Sequence, residues 1–300
     1  MSMDSDKPTS NNPGTVEDLH KQCQSVYPLF FDGIKILLNK GLSSHFQVSH
    51  TLNLTNSEMV GYRFGATYVG SVPGPNPPEE YPILLADMDP KGDLNANIVH
   101  AFSKNFRAKA IAQIQKSKWV SAQFTGDYTT DNYTASFTLG NPDLINGTGV
   151  LVTNYLQAIT RNLSLGAELA YQSTPQLPGG HMAAVTLVGR YANKNSAFAC
   201  TLGGGGQMHA SFYQNCGEGV QMGTEIEANL RMQDSVASIG YSIDVGNNGT
   251  TVMKGSVDTN CIVKSVIETK LLPLPFTLAL CGLINHKKNT FQLGCGFIMG

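Results

Sequence analysis

The segment from 219 to 230 reads GVQMGTEIEANL, and its polar and apolar side chains alternate one by one. Met222 and Ile226 fall on one parity, whereas Glu225 and Glu227 fall on the other. A helix would scatter the two carboxylates among the apolar groups, but a strand places them together on one face. The pattern therefore predicts a two-faced strand. It leaves open which face meets water, because a sandwich turns its polar face outward and a membrane barrel turns it inward.

The same alternation recurs from His45 to the end of the chain. It is visible in HFQVSHTLNL, NLSLGAELAY, SVASIGYSIDV and NTFQLGCGFIM, which are separated by turn sequences such as NPDLINGTG and VGNNGT. Dividing roughly 260 residues by about 14 for each strand with its turn gives about 18 or 19 strands, which is the size of a porin. No linker interrupts the series, so the sequence predicts one large all-β domain.

The composition favours lipid around this domain. Charged residues make up 14% of the chain, whereas typical soluble domains contain about 25%. The segment closest to a transmembrane helix, LLPLPFTLALCGLIN, is short and contains Pro273 and Pro275. Barrel strands need only about 9 to 11 alternating residues, so the lack of a long apolar run does not exclude them. We therefore predict a transmembrane β-barrel and keep a soluble all-β binding protein as an alternative.

Charge, cysteines and short motifs argue against several classes of function. A net charge of -2 gives no basic field for nucleic acid. The six cysteines include no CxxC pair, so we expect free thiols and neither a zinc site nor disulfides. His45 and His50 would point to opposite faces of a strand, and the GGGG run at 203–206 lacks the lysine of a phosphate loop. We expect no enzyme, no metal and no cofactor.

The N-terminal part of the chain has a different pattern. The polar head, residues 1–14, resembles neither a signal peptide nor a transit peptide, so we expect the chain to begin in the cytosol. Residues 15–28 then carry apolar side chains at helical spacing, starting from a capping box formed by Thr15 and Asp18. The spacing predicts an N-terminal helix, followed by the barrel over residues 29–300.

Several longer segments carry a family resemblance that covers Asn12 to Gly300. They are NKGLSSHFQVSHT at 39–51, DMDPKGDLNA at 87–96, TLGNPDL at 138–144, EIEANLRMQD at 225–234, KGSVDTN at 254–260 and FQLGCGF at 291–297. In this order the segments resemble the Tom-forty family, the channel subunit of the translocase of the outer mitochondrial membrane. Their length and their spread along the chain make the resemblance more specific than a short motif.

This resemblance implies a fold, a location and a function. It implies a barrel of about 19 strands whose first and last strands pair in parallel, with an N-terminal segment running through the pore. It also implies a place in the mitochondrial outer membrane, where the barrel would conduct unfolded precursor proteins from the cytosol to the intermembrane space. The implied partners are a receptor with one transmembrane helix, small single-helix subunits and a second copy of the channel.

In such a barrel the alternation turns carboxylates toward the lumen, and we predict that these form the substrate path. The five carboxylates are Asp127, Glu168, Glu225, Glu227 and Asp244. Mitochondrial presequences are basic amphipathic helices, which scattered carboxylates can hold weakly at many places. Alternatively, the carboxylates only keep the lumen hydrated. The predicted lumen is mixed in charge, because five basic residues share the inward parity: Arg63, Arg107, Lys109, Arg190 and Lys264.

A metabolite pore of the voltage-dependent anion channel type is the main alternative within the membrane class. Such a pore has a related fold and also an odd number of strands. Its lumen is expected to be net basic, whereas a protein channel for basic presequences is expected to offer carboxylates. Block by a presequence peptide would therefore distinguish the two functions.

Overall fold

A computed structural model describes residues 12–55, 61–73, 80–143, 147–175, 179–246 and 250–300. The described chain folds into nineteen β-strands. They are β1 (Gly33–Gly41), β2 (Phe46–Leu54), β3 (Gly61–Pro73), β4 (Glu80–Met88), β5 (Leu94–Ala101), β6 (Phe106–Gln115), β7 (Lys118–Thr129), β8 (Tyr133–Asp143), β9 (Thr148–Ala158), β10 (Leu163–Ser173), β11 (His181–Ala192), β12 (Ser196–Gly203), β13 (Gln207–Gly217), β14 (Val220–Asn229), β15 (Asp234–Val245), β16 (Thr251–Asp258), β17 (Ile262–Lys270), β18 (Phe276–Asn285) and β19 (Thr290–Met299).

The strands form one closed barrel. Each strand pairs antiparallel with the next along the chain, and β1 closes the barrel by pairing in parallel with β19, from Gly33 opposite Gly294 to Leu38 opposite Met299. The parallel pair follows from the odd strand number, because the first and last members of an alternating odd series run the same way. Every described strand has two partners, so the described barrel has no unpaired edge strand. The predicted all-β transmembrane barrel and its parallel closure are confirmed.

The outer face of the barrel is apolar and exposed. Leu187 and Ile226, which lie on outward positions of β11 and β14, are 59% and 45% exposed. Exposed aromatic side chains stand near both ends of the strands, with Trp119 at the start of β7 and Tyr128 and Tyr191 near the ends of β7 and β11. An apolar band between two aromatic girdles is typical of a barrel in lipid. The soluble alternative is not favoured, because it would place these side chains in a core.

The predicted N-terminal helix consists of two short pieces. A 3-10 helix spans Val16–Asp18 and a one-turn α-helix, α1, spans Lys21–Gln24. The predicted N-terminal helix is therefore present, and its helical pieces are shorter than the interval 15–28. Helices this short are marginal by themselves, so contacts with the barrel must fix the segment. No helix of the described residues is long and apolar enough to cross a membrane.

Residues 12–32 cross the barrel from one mouth to the other. Neighbouring strands are antiparallel, so β7 and β19 end at the same mouth, here called the carboxy-terminal mouth, and β2 ends at the opposite mouth. Asn12 Nδ2 donates to the carbonyl of Thr130, which follows β7, at 2.5 Å. At the far end of the segment, Thr55 Oγ1, just after β2, donates to Asp32 Oδ2 at 3.3 Å. The segment implied by the family resemblance thus lies in the lumen.

Candidate functional site in the lumen

Contacts with the N-terminal segment identify the inward face of the barrel. Cys23 packs against Gly223 on β14, where an added Cβ would lie 2.9 Å from the Cys23 sulfur. Tyr27 packs against Gly240 on β15, where an added Cβ would lie 3.1 Å from its ring. A larger side chain at either position would collide with the N-terminal segment. The two glycines therefore leave the space in which the segment lies. Because sides alternate along β14, Glu225 faces inward, as do all residues of its parity on that strand.

Polar contacts fasten the segment to the wall formed by β13 to β16. The Tyr27 hydroxyl donates to the carbonyl of Ser238 at 3.0 Å, and Lys254 Nζ donates to the carbonyl of Ser25 at 2.7 Å. His20 Nδ1 lies 2.7 Å from Ser211 Oγ, within hydrogen-bonding distance. These bonds join side chains to atoms more than 180 residues away, so they form only when the segment meets the folded wall.

An apolar contact supplements these hydrogen bonds. Leu19, which is 2% exposed, packs with Leu156 on β9, Val188 on β11 and Ala199 on β12, and Val16 lies against the group. Burial of a leucine side chain contributes about 1.5 to 3 kcal/mol. We call this group the Leu19 anchor.

Two of the predicted carboxylates, Glu225 and Glu227, line one cavity near the opposite mouth. The cavity has a volume of about 410 Å³, and Asp258, Lys264 and Tyr27 line it with them. Three carboxylates and one ammonium thus face a single space beside the segment. The wall here is acidic, which suits weak binding of a cationic side chain in a polar lumen.

A second cavity adjoins the first. It has a volume of about 370 Å³, and its lining includes His209, Asn229 and Asp234 together with Glu227. Glu227 therefore lies between the two spaces. A cationic chain following this wall would meet carboxylates in succession, with Glu225 deepest, because β14 runs toward the opposite mouth.

The other three predicted carboxylates lie in different surroundings. Asp127 is 6% exposed and is held by Arg107, whose Nη2 lies 3.1 Å from Asp127 Oδ2. Glu168 is paired across strands with Asn154, whose side-chain nitrogen in its hydrogen-bonded orientation donates to Glu168 Oε2 at 2.8 Å. Asp244 is exposed at the end of β15, at the carboxy-terminal mouth. The structure therefore brings Glu225 and Glu227 together and leaves these three apart.

The register also locates the five predicted basic residues. They lie on the inward parity of their strands: Arg63 on β3, Arg107 and Lys109 on β6, Arg190 on β11 and Lys264 on β17. Arg190 contacts the N-terminal segment, since its Nη2 donates to Gln22 Oε1 at 3.1 Å. The lumen of the described barrel is therefore mixed in charge.

Sequence reasoning missed inward residues that the structure places in the lumen. Asp258 lines the same cavity as Glu225, and Lys254 bonds the segment. Both share the polar parity of KGSVD at 254–258, so the alternation there could have identified them. Cys23 and His20 could not have been identified in this way, because their partners are distant in the chain.

Metal binding finds no support among the described residues. No group of three or more His, Cys, Asp or Glu side chains there is arranged to hold a metal ion. His45 lies in the β1–β2 turn, with Nδ1 3.0 Å from the carbonyl of Val69. His50 lies on β2, with Nδ1 2.6 Å from the hydroxyl of Tyr62. The two histidines have different partners, and the six cysteines are free.

A closed barrel with an apolar outer face, a polar lumen and a chain segment through that lumen is a membrane pore of the β-barrel class. The sequence model of the eukaryotic porin family matches residues 12–294, and the chain belongs to that family. Among its relatives, mitochondrial import receptor subunit TOM40 homolog 2 of Drosophila melanogaster is 46% identical over 294 residues, covering 98% of this chain and 86% of the relative.

Vertebrate relatives agree with this match. The mitochondrial import receptor subunit TOM40 homologs of Xenopus laevis and Homo sapiens are each 44% identical over 289 residues, which is 96% of this chain. The matches cover 84% of the Xenopus laevis protein and 78% of the human protein. The resemblance to the Tom-forty family is confirmed.

Proposed function

We propose that this barrel is the protein-conducting channel that imports precursor proteins across the mitochondrial outer membrane. Its relatives are named as mitochondrial import receptor subunits, and its exposed apolar face requires a membrane. The activity is transport through a hydrophilic path, and no catalytic step is part of it.

The observation that carries the proposal is the N-terminal segment itself. Residues 12–32 pass through the lumen as polypeptide, held by hydrogen bonds and by the apolar Leu19 anchor. The wall therefore already accommodates a chain with main-chain and side-chain polar groups. A transported chain needs the same accommodation, with contacts weak and numerous enough to permit release.

The acidic wall supplies the specificity in this proposal. Glu225, Glu227 and Asp258 would attract the basic side chains of a presequence along the cavities near the opposite mouth. Glu168 and Asp244 would contribute farther along the lumen. Asp127 would contribute least, because Arg107 already neutralises it. Each exposed charge pair contributes little binding free energy, so the affinity of the channel for a presequence would come from several contacts.

The partners of the proposed channel follow from the family. They are precursor proteins with basic presequences, a receptor with one transmembrane helix, small single-helix subunits, a second copy of the channel and outer-membrane lipid, with no nucleic acid. Helices of such subunits would lie against the apolar outer face, where lipid and protein are the available neighbours.

A metabolite pore is not favoured. The wall around Glu225 is acidic, whereas a pore for anionic metabolites is expected to be lined by basic groups. The named relatives are import subunits.

The test is reconstitution of the full chain in a planar bilayer with a basic presequence peptide on one side. Concentration-dependent block supports the protein channel, whereas voltage gating without a response to the peptide would support the metabolite pore. Glu227→Gln should weaken block by about two- to fivefold, the value of one exposed charge pair. The control is Glu218→Gln, which removes an exposed carboxylate from the β13–β14 turn of the same hairpin. Equal effects of both variants would contradict the lumenal role of Glu227.

A further inference from the structure

Two turns at the opposite mouth are joined to each other. The β4–β5 turn and the β6–β7 turn meet where the amide of Lys116 donates to Asp93 Oδ1 at 2.8 Å and the amide of Ser117 donates to the carbonyl of Gly92 at 3.3 Å. A third bond holds the β4–β5 turn itself, from the amide of Lys91 to Asp89 Oδ1 at 3.0 Å. The two turns therefore form one fixed platform.

The backbone of this platform is unusual for its residue types. Lys116 and Ser117 have φ values of 49° and 59°, the left-handed region in which glycine or asparagine is preferred. Neither residue avoids the steric cost as glycine would. The bonds to Gly92 and Asp93 hold this conformation. Its consequence is to fix the positions from which Lys116 and its neighbour Lys118 project.

The platform carries three exposed ammonium groups and two carboxylates that accept backbone amides. Lys91, Lys116 and Lys118 are exposed, and none of them is ion-paired within the described chain. Asp89 and Asp93 accept backbone amides, as described above. The three ammonium groups are therefore available to a ligand. We call Lys91, Lys116 and Lys118 the basic rim.

An apolar row lies directly below the basic rim on the outer face. A β-bulge leaves Val120 unpaired, so Ile114 pairs with Trp119. The extra residue reverses the parity and turns Trp119 outward, where it is 64% exposed. Across the strands, Ile114 pairs with Leu94, and Leu94 with Met88. These four side chains form a continuous lipid-facing row at the level where tryptophan marks the membrane interface.

We propose that the basic rim and this apolar row together bind an anionic phospholipid in the leaflet at the opposite mouth. The lipid phosphate and acidic headgroup would contact the ammonium groups, and the part of its acyl chains nearest the headgroup would pack against the row of Met88, Leu94, Ile114 and Trp119. Charge at the rim above an apolar row that contains tryptophan matches the order of headgroup and membrane interface. The proposal needs the barrel to lie in a membrane, as the proposed function does, but not to conduct precursors.

The only tryptophan of the chain is a direct reporter for this site. The full chain is reconstituted in phosphatidylcholine vesicles containing a fixed fraction of phosphatidylserine, with bromine placed on the acyl chains of one lipid or the other. Bromine on phosphatidylserine should quench Trp119 fluorescence more strongly than the same fraction on phosphatidylcholine. Lys116→Gln with Lys118→Gln should lower that preference by about fivefold for each lysine.

The matched control is Lys287→Gln with Lys288→Gln in the β18–β19 turn, which removes the same charge at the same mouth. It should preserve the preference. Molar salt should abolish the preference in the native protein, because screening then acts within about 3 Å. This salt measurement does not depend on any variant folding. Equal quenching by both brominated lipids, equal loss in both double variants, or a preference unaffected by salt would each overturn the proposal.

Discussion

The Leu19 anchor predicts how strongly the N-terminal segment is held in the lumen. Leu19→Ala removes most of a side chain that is 2% exposed among Leu156, Val188 and Ala199. Leucine-to-alanine changes at buried sites cost about 2 to 5 kcal/mol. The barrel strands keep all their partners, so the loss should appear as release of the segment rather than as unfolding. At the lower end of this range, a loss of about 2 kcal/mol in the free energy of segment binding corresponds to a roughly 30-fold larger population with the segment released.

Cys23 provides the assay, because its side chain is buried against the wall and becomes accessible only when the segment leaves it. The other five cysteines are replaced by serine, and the rate of Cys23 alkylation by a water-soluble maleimide is measured. When opening and reclosing are fast, the rate follows the open population. We expect Leu19→Ala to raise the rate at least about tenfold, allowing for partial collapse of the vacated space.

Leu29→Ala is the matched control, since it removes the same atoms from the same segment at a residue that is 85% exposed. Its alkylation rate should stay within about twofold of the parent, because surface substitutions usually change stability by less than about 0.5 kcal/mol. Equal rates for Leu19→Ala and Leu29→Ala would refute the anchor. Loss of strand content in circular dichroism would instead show that the segment supports the barrel.

Other expectations concern the wall and the head. Glu225→Gln with Glu227→Gln should lower cation selectivity and presequence block in planar bilayers, and unchanged values for both would contradict an electrostatic role of this wall. Ile226→Arg should impair membrane assembly by about 2 to 4 kcal/mol if it lies near the midplane, whereas Asn229→Arg should assemble and mainly lower cation preference. A cysteine at position 226 should react with a membrane-partitioning maleimide, and a cysteine at position 229 should react with a water-soluble maleimide. Free reaction of position 226 with the water-soluble reagent would contradict its outward placement. Removal of residues 1–28 should leave a closed barrel by circular dichroism, since none of the nineteen described strands includes any of residues 12–28.

Strand faces were the part of the site most accessible to prediction. On β14 the alternation placed Glu225 and Ile226 on opposite faces, and the structure has one in a lumenal cavity and the other exposed outside. The reason is that a regular strand has an exact local period of two, which needs no knowledge of distant partners. The same reasoning could have reached Asp258 but could not tell that Asp127 is paired with Arg107, because that pairing depends on the register of β6 and β7.

Helical spacing was a weaker guide than strand alternation. The spacing of apolar side chains predicts one apolar stripe on a helix over residues 15–28, whereas the structure has two short helical pieces in residues 16–24. The predicted stripe corresponds to an apolar face of the segment, since Leu19 contacts Leu156 and Cys23 contacts Gly223. The stripe did not indicate how long the helix is. Hydrogen bonds from the barrel wall take the place of hydrogen bonds that a longer helix would form within itself.

The amino-acid sequence by itself determined that this chain forms many two-faced strands and that its polar and apolar surfaces are separated strand by strand. That information is local, since it depends only on which side chains alternate. Only the tertiary structure decided the contacts between strands and the contacts across the lumen. These are the packing of Leu19 against the wall, the neutralisation of Asp127 by Arg107, and the side of the barrel on which Trp119 lies. Trp119 has the inward parity of β7, and one unpaired residue, Val120, reverses it. A bulge is defined by the partner strand, so its position is set only when the two strands pair.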